Sequence, residues 1–196
     1  MLTILDKIKI KYRHLILPYE CLINIAIPYQ SILDIGCGLA MFLEKLSGHG
    51  KKLNGIDISE LTIQKAKEIL KEKNIKDITL SHFNGNPNTI FNLKDYDAIF
   101  LNDVLHHIPA KDQSDFLKKI YKRMKKGSQF IIKDIDASNP LVIFNKIHDI
   151  ILNKQYPHEQ SIKDCYKLCN NIGFNINNII LIRKLVYPHF VLIMTK

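Results

Sequence analysis

The chain predicts an α/β fold in three layers: a seven-stranded, mostly parallel sheet between two helical layers, closed by an antiparallel last strand. Three observations carry this prediction. Of five short apolar runs, four are followed by a segment of helical period, the pattern of strand–helix–strand units. The first run ends in a glycine turn at Gly36 and Gly38. The last two apolar runs follow each other with only a turn between them, which reads as a hairpin.

The first strand is Ile32-Leu33-Asp34-Ile35, apolar enough to be covered on both faces. Gly36 and Gly38 then allow backbone conformations and close ligand approach that a β-carbon would obstruct. Leu39, Phe42, Leu43 and Leu46 recur at helical spacing behind the turn, so a helix is expected there with its first amides facing the glycines. Such a turn suits a nucleotide, and it also occurs as plain structure. A phosphate loop needs Gly-Lys-Ser/Thr before its helix, and no lysine follows Gly38. A dinucleotide GxGxxG needs a third glycine, where this chain offers Ala40.

The second strand, Lys52 to Ser59, ends in Asp57, placed to accept hydrogen bonds from a ribose diol or to cap the helix beginning near Glu60. With Gly36 and Gly38 upstream we favour the ribose role and give the cap to Ser59. Leu61, Ile63, Ala66, Ile69 and Leu70 mark that helix, which stops by Asn74. A third strand runs from Ile78 to Phe83, before the turn-forming Asn84-Gly85-Asn86-Pro87. The fourth, Tyr96 to Leu101, delivers Asn102 and Asp103 to the carboxyl edge of the sheet, followed by Leu105-His106-His107-Ile108-Pro109. A helix beginning at Asp112 or Ser114 carries Phe116, Leu117, Ile120, Tyr121 and Met124 and ends in lysines before Gly127. The fifth strand, Gln129 to Ile135, brings Asp134 and Asp136 to the same edge as substrate-side candidates. After a crossover segment at Pro140 to Leu152 and a helix at Gln160 to Asn171, the strands Ile176 to Lys184 and His189 to Thr195 form the hairpin, joined around Val186-Tyr187-Pro188.

The Asp34-x-Gly36-x-Gly38 pattern resembles motif I of the class I (Rossmann-like) S-adenosylmethionine-dependent methyltransferases of small-molecule type, with Ala40 for the usual final glycine. The Leu-His-His-Ile element after strand four and the ending of helix, Gly-Phe, strand and strand are similar to that family as well. The resemblance covers about residues 30 to 196 and implies S-adenosylmethionine as cofactor, with S-adenosylhomocysteine as product. It implies that Asp34, Gly36, Cys37 and Gly38 hold the methionine moiety, Asp57 with its neighbour Ile58 the ribose end, and Asn102 the rim beneath the sulfonium. Asn86 stands where the family carries an acid for the adenine amino group, with Asn84 as competitor. His107 and then His106 are the candidate bases, with His158 behind them. The acceptor is expected to be a small or carrier-linked metabolite.

One domain spans 1–196: a helical preamble over 1–28, a cofactor-binding half over 30–136, and substrate-side helices with the hairpin over 140–196. Asp6, Lys7, Lys9 and Lys11 interrupt the first apolar residues, which excludes a secretory signal, and the uncharged run Cys21 to Leu33 is too short to cross a membrane. A cytoplasmic protein is expected, monomer or homodimer, with four thiols and no metal. Cys165 and Cys169 lie four apart and, with His148 or His158, match no structural zinc spacing. Net charge is +9, yet only three of the 28 basic residues are arginine and the lysines scatter over helix faces, so nucleic acid is not the expected partner. The alternatives are an RNA-directed methyltransferase, a lipid-directed one whose preamble makes peripheral contact with a membrane, and a non-catalytic cofactor-binding protein.

Overall fold

In the computed structural model, residues 15–90, 92–148, 150 and 156–196 are described. Strands Ser31–Ile35 (β1), Lys52–Asp57 (β2), Ile78–His82 (β3), Ala98–Asn102 (β4), Gln129–Ile135 (β5), Asn175–Lys184 (β6) and Tyr187–Thr195 (β7) form one sheet in the order β3-β2-β1-β4-β5-β7-β6. The first five are parallel, and β7 runs antiparallel between β5 and β6. This is the seven-stranded sheet read from the sequence. The order turns around at β1, whose neighbours are β2 on one side and β4 on the other, so a crevice opens at the carboxyl ends of β1 and β4.

Helices Tyr19–Ala26 (α1), Met41–Glu44 (α2), Glu60–Glu72 (α3), Ala110–Arg123 (α4), Val142–His148 (α5) and Ile162–Ile172 (α6) provide most of the rest. Two cores lie on opposite faces of the sheet, which makes the three layers. On one, Ile32, Leu53, Phe100, Ile131 and Val191 meet Leu22 and Ala26 of α1, Phe42 and Leu43 of α2, and Ile63, Ala66 and Leu70 of α3. On the other, Leu33, Ile35, Leu101, Phe130, Ile132 and Phe190 meet Phe116, Leu117 and Ile120 of α4 and Cys165 and Cys169 of α6. Each fully buried Leu, Ile or Phe in these layers contributes about 1.5 to 3 kcal/mol. All four cysteines are free thiols.

Several boundaries differ from the sequence expectation, each for a physical reason. The helix behind the glycine turn is a single turn, Met41–Glu44; residues 45–47 continue in tighter i→i−3 bonds until Gly48 (φ +81°) and Gly50 (φ +65°) turn the chain into β2. Phe42, Leu43 and Leu46 are nonetheless buried as their spacing requires. Helix α4 starts at Ala110, ahead of Asp112, because Pro109 at φ −50° already sets its entry. The hairpin turn is shorter than expected: Tyr187 and Pro188 belong to β7, and Leu185 (φ +55°) and Val186 make the turn. Of the preamble, residues 15 and 16 are helical and α1 follows Pro18; residues 1–14 lie outside the described ones.

Candidate active site

The glycine turn is held from below and from the side. Gly36 N and Cys37 N both donate to Ile56 O, at 2.7 and 3.0 Å, which locks the end of β1 to β2. Gly36 (φ +76°) leaves no room for a side chain, since a β-carbon there would collide with Val104 of the loop after β4. Ala40, where the motif usually has its last glycine, takes φ +59° and is fully buried. A β-carbon in that region costs about 1 to 2 kcal/mol, which explains why glycine is the common choice.

Asp57 braces the turn. Its Oδ2 accepts from Gly38 N and its Oδ1 from Ser59 N, each at 2.9 Å, while Ser59 Oγ caps α3 by accepting from Thr62 N. The cap thus belongs to Ser59, and the Asp57 carboxylate, tied to the turn, faces the crevice beside exposed Ile58.

Asp34 ends its side chain in a buried position, 2% exposed, where Oδ1 accepts from Asn102 Nδ2 at 3.0 Å. Burial pushes its pKa up to about 8, the Asn102 hydrogen bond opposes this, and the Asp57 and Asp103 carboxylates add to it. Asn102 Oδ1 is buried and has no hydrogen-bond partner among the described residues. Burial also raises the Cys37 thiol, with the Asp34 and Asp57 charges adding to the effect.

The two asparagines after β3 are both turn builders. Asn84 Oδ1 accepts from Asn86 N at 3.0 Å and Thr89 Oγ1 at 2.8 Å, so both its lone pairs are used. Among the described residues Asn86 Oδ1 accepts from Asn88 N alone, at 3.0 Å, which leaves one lone pair for a ligand. The guanidinium of Arg123, in the sequence one of the basic residues at the end of α4, donates to Pro87 O and Ile90 O and fixes this loop onto that helix.

Asp34, Gly36, Cys37, Gly38, Asp57, Asn84, Asn86 and Asn102 line one cleft of about 720 Å³ along the carboxyl edge of the sheet, while Ala40 stays behind it. The cleft separates the two histidines. His107 is exposed on its wall, whereas His106 is buried, with Nδ1 at 2.5 Å from Asp134 Oδ1 and its backbone N–H donating to Asp134 Oδ2. The rings touch at 4.0 Å between centroids. His158 lies away from the lining; its N–H donates to His106 O, and its carbonyl accepts from the buried Gln113, which also donates to Leu105 O and Ile108 O. Gln113 therefore ties the His106-His107 turn to the segment after the crossover.

Neither Asp134 nor Asp136 reaches the cleft: the first serves His106, and the second accepts from Ser138 and from Ile162 N at the start of α6. Instead β5 contributes Lys133. Its side chain is fully buried, and Nζ sits 2.6 Å from both carboxylate oxygens of Asp103, whose backbone is left-handed at φ +54°. Burial alone would raise Asp103, but the Lys133 ammonium beside it holds the carboxyl well below the usual range. A lysine inside the apolar run Phe130 to Ile135 is the trace of this pair in the sequence. Asp103, His106 and Asp134 offer ligand atoms within 4.8 Å of one another, but Lys133 already occupies Asp103 and His106 already bonds Asp134, so the cluster is satisfied from within.

Charge in the cleft is opposite to that of the whole protein. Besides the protonated Asp34, the carboxylates of Asp57, Asp103, Asp112 and Asp115 line it against Lys119 and Lys133, each lysine bound to one of those carboxylates. The site suits a cationic ligand, and the net charge of +9 resides elsewhere.

Residues 29–181 match the family model described as a methyltransferase domain. The chain belongs to the methyltransferase-domain family. Curated relatives of this domain include a demethylmenaquinone methyltransferase of Alkalihalophilus pseudofirmus, 25% identical over 66% of this chain and 55% of the relative. A ubiquinone biosynthesis O-methyltransferase of Rickettsia bellii is 28% identical over 55% of this chain and 42% of the relative. The domain thus spans about half the length of these curated relatives. Among solved structures, magnesium protoporphyrin IX methyltransferase from Synechocystis PCC 6803 with bound S-adenosylhomocysteine superposes with a TM-score of 0.75, covering 100% of this chain and 89% of that one at 16% identity. Fold and family together make this a class I S-adenosylmethionine-dependent methyltransferase domain.

Proposed function

We propose that the domain transfers a methyl group from S-adenosylmethionine to a hydroxyl of a small or carrier-linked metabolite. The observation that carries this reading is the Asp57 carboxylate, bound to Gly38 N of the glycine turn and open to an acidic cleft at the switch point of the sheet. When bound, the cofactor supplies a sulfonium methyl open to in-line attack. The chain's own residues bind, align and exclude water, a contribution worth several kcal/mol through proximity.

In this reading Asp34, Gly36, Cys37 and Gly38 hold the methionine moiety, Asp57 accepts from the ribose diol with Ile58 beside it, and Asn86 accepts from the adenine amino group. Asn102, whose side-chain amide donates to Asp34, would form the floor beneath the sulfonium. His107, on the cleft wall, would take the proton that the acceptor hydroxyl gives up as it attacks. His106, bound to Asp134 and packed on the His107 ring, is a positioning residue. The relative named as an O-methyltransferase supports a hydroxyl acceptor. An RNA-directed reading is disfavoured by the Asp57 and Asp112 carboxylates of the cleft, which its two lysines do not neutralise and which would repel a phosphate backbone.

Calorimetric titration with S-adenosylhomocysteine, followed by transfer of labelled methyl from S-adenosylmethionine to a panel of hydroxylated metabolites, tests this. We expect saturable binding and a His107→Asn variant that binds equally well but transfers far more slowly. Failure to bind S-adenosylhomocysteine would sink the proposal, and binding without transfer to any acceptor favours the non-catalytic reading.

A further inference from the structure

Helix α5 leaves most of its apolar side chains outside. Among its described side chains the buried one is Asn145, whose Nδ2 donates to Glu159 at 3.1 Å, while Ile143, Phe144 and Ile147 are 44 to 51% exposed. Ile150, one turn further on, is 48% exposed. An amphipathic helix ordinarily buries its apolar stripe, and an exposed stripe marks a surface that something else covers.

The start of α5 lies beside the tip of the β6–β7 hairpin. Val142 at the start of α5 and Val186 at the tip pack on the same small cluster of Ile16, Ile135 and Tyr187, and Leu185 beside Val186 is 59% exposed. Leu17 joins that cluster and also lines the cleft, so the apolar surface borders the mouth of the site. Lys146 lies within α5, and Arg183 and Lys184 directly precede Leu185. Exposed apolar side chains with the exposed Arg183 and the half-buried Lys146 close by in the chain suit an anionic lipid surface: the first enter the acyl boundary, and the second pair with head groups. No described helix is long and apolar enough to cross a membrane, so contact at the surface is what this arrangement offers.

We propose that the outer face of α5 and the hairpin tip seat on an anionic lipid bilayer, with the cleft mouth at its edge. The docking stands independently of methyl transfer. Combined with that reading, on which this extension rests, it assigns the acceptor to the class with a polar head and an apolar tail, presented from the bilayer.

Sedimentation of the full chain with vesicles tests it, using phosphatidylcholine alone and an equimolar mixture with phosphatidylglycerol. The chain should pellet with the anionic vesicles and be released by salt. Phe144→Ser with Ile147→Ser should weaken binding about tenfold or more. Arg183→Gln and Lys184→Gln should each weaken it about fivefold. Both sets should retain wild-type affinity for S-adenosylhomocysteine, which shows the fold intact. A chain that stays in the supernatant with anionic vesicles overturns the proposal, as do apolar variants that pellet as well as wild type. So does a dimer in light scattering that the Phe144 and Ile147 changes dissociate without any vesicle binding, since a second copy then covers the face. Vesicle binding without S-adenosylhomocysteine binding would refute methyl transfer and leave the docking in place.

Discussion

Gly38 donates its backbone N–H to Oδ2 of Asp57 at 2.9 Å, so one carboxylate both shapes the glycine turn and faces the cleft above it. Position and chemistry are therefore coupled at this residue. Asp57→Ala should weaken S-adenosylhomocysteine binding by about 1.5 to 3 kcal/mol through lost charge-assisted hydrogen bonds. Asp57→Asn keeps an acceptor oxygen and should lose less. Calorimetry on both variants checks the order, and an Asp57→Ala protein that binds like wild type removes Asp57 from the site.

Asp34 predicts a pH dependence whose sign is fixed by burial. Its pKa rises from 3.8 to about 8 on folding, so between those values the folded chain holds a proton that the unfolded chain has released. Stability therefore falls as pH rises through that window and levels off above it. Asp34→Asn should remove this slope, as read by urea unfolding at several pH values. Conversely, a cationic ligand favours the ionised carboxylate, so S-adenosylhomocysteine, with its ammonium group, should bind with proton release below pH 8, measurable by calorimetry in buffers of different ionisation enthalpy.

The Lys133–Asp103 pair should behave as a buried ion pair. Lys133→Met leaves Asp103 without its counter-charge and should destabilise by about 3 to 5 kcal/mol, toward the lower figure because Asp103 opens on the cleft. Adding Asp103→Asn should restore much of that loss, since asparagine also tolerates the left-handed backbone. Denaturant midpoints of the single and double variants decide it; additive losses would contradict the pairing.

Gly55 is pinned between β1 and β3. A β-carbon there would lie 2.8 Å from both Cys37 Sγ and Leu80 Cδ2, so Gly55→Ala should cost about 1 to 3 kcal/mol. Because Cys37 sits in the glycine turn, affinity for S-adenosylhomocysteine should drop with it. Cys37→Ala in the same chain should recover part of both losses, read by melting temperature and calorimetry.

Local patterns made much of this legible. Alternating strand and helix periods predicted the sheet, and Gln129 to Ile135 coincides with β5 residue for residue, because Phe130, Ile131, Ile132 and Ile135 mark a buried strand and Gly127 ends the turn before it. Ser59 as the cap of α3 was likewise readable, since a cap is a contact between residues three apart. Helix α2 was overread: the apolar spacing is real, but Gly48 and Gly50 limit how far the turn can continue.

By itself the sequence determined the order of elements, the glycine turn and the acid at the end of β2, because each depends on neighbours along the chain. Which histidine faces the cleft, which asparagine keeps a free lone pair, and that Lys133 instead of Asp134 reaches the site were decided only by tertiary structure. The reason is geometric. Adjacent residues of a strand or tight turn point in opposite directions, and their partners here lie 28 to 30 residues away in the chain, at Asp134 for His106 and Asp103 for Lys133.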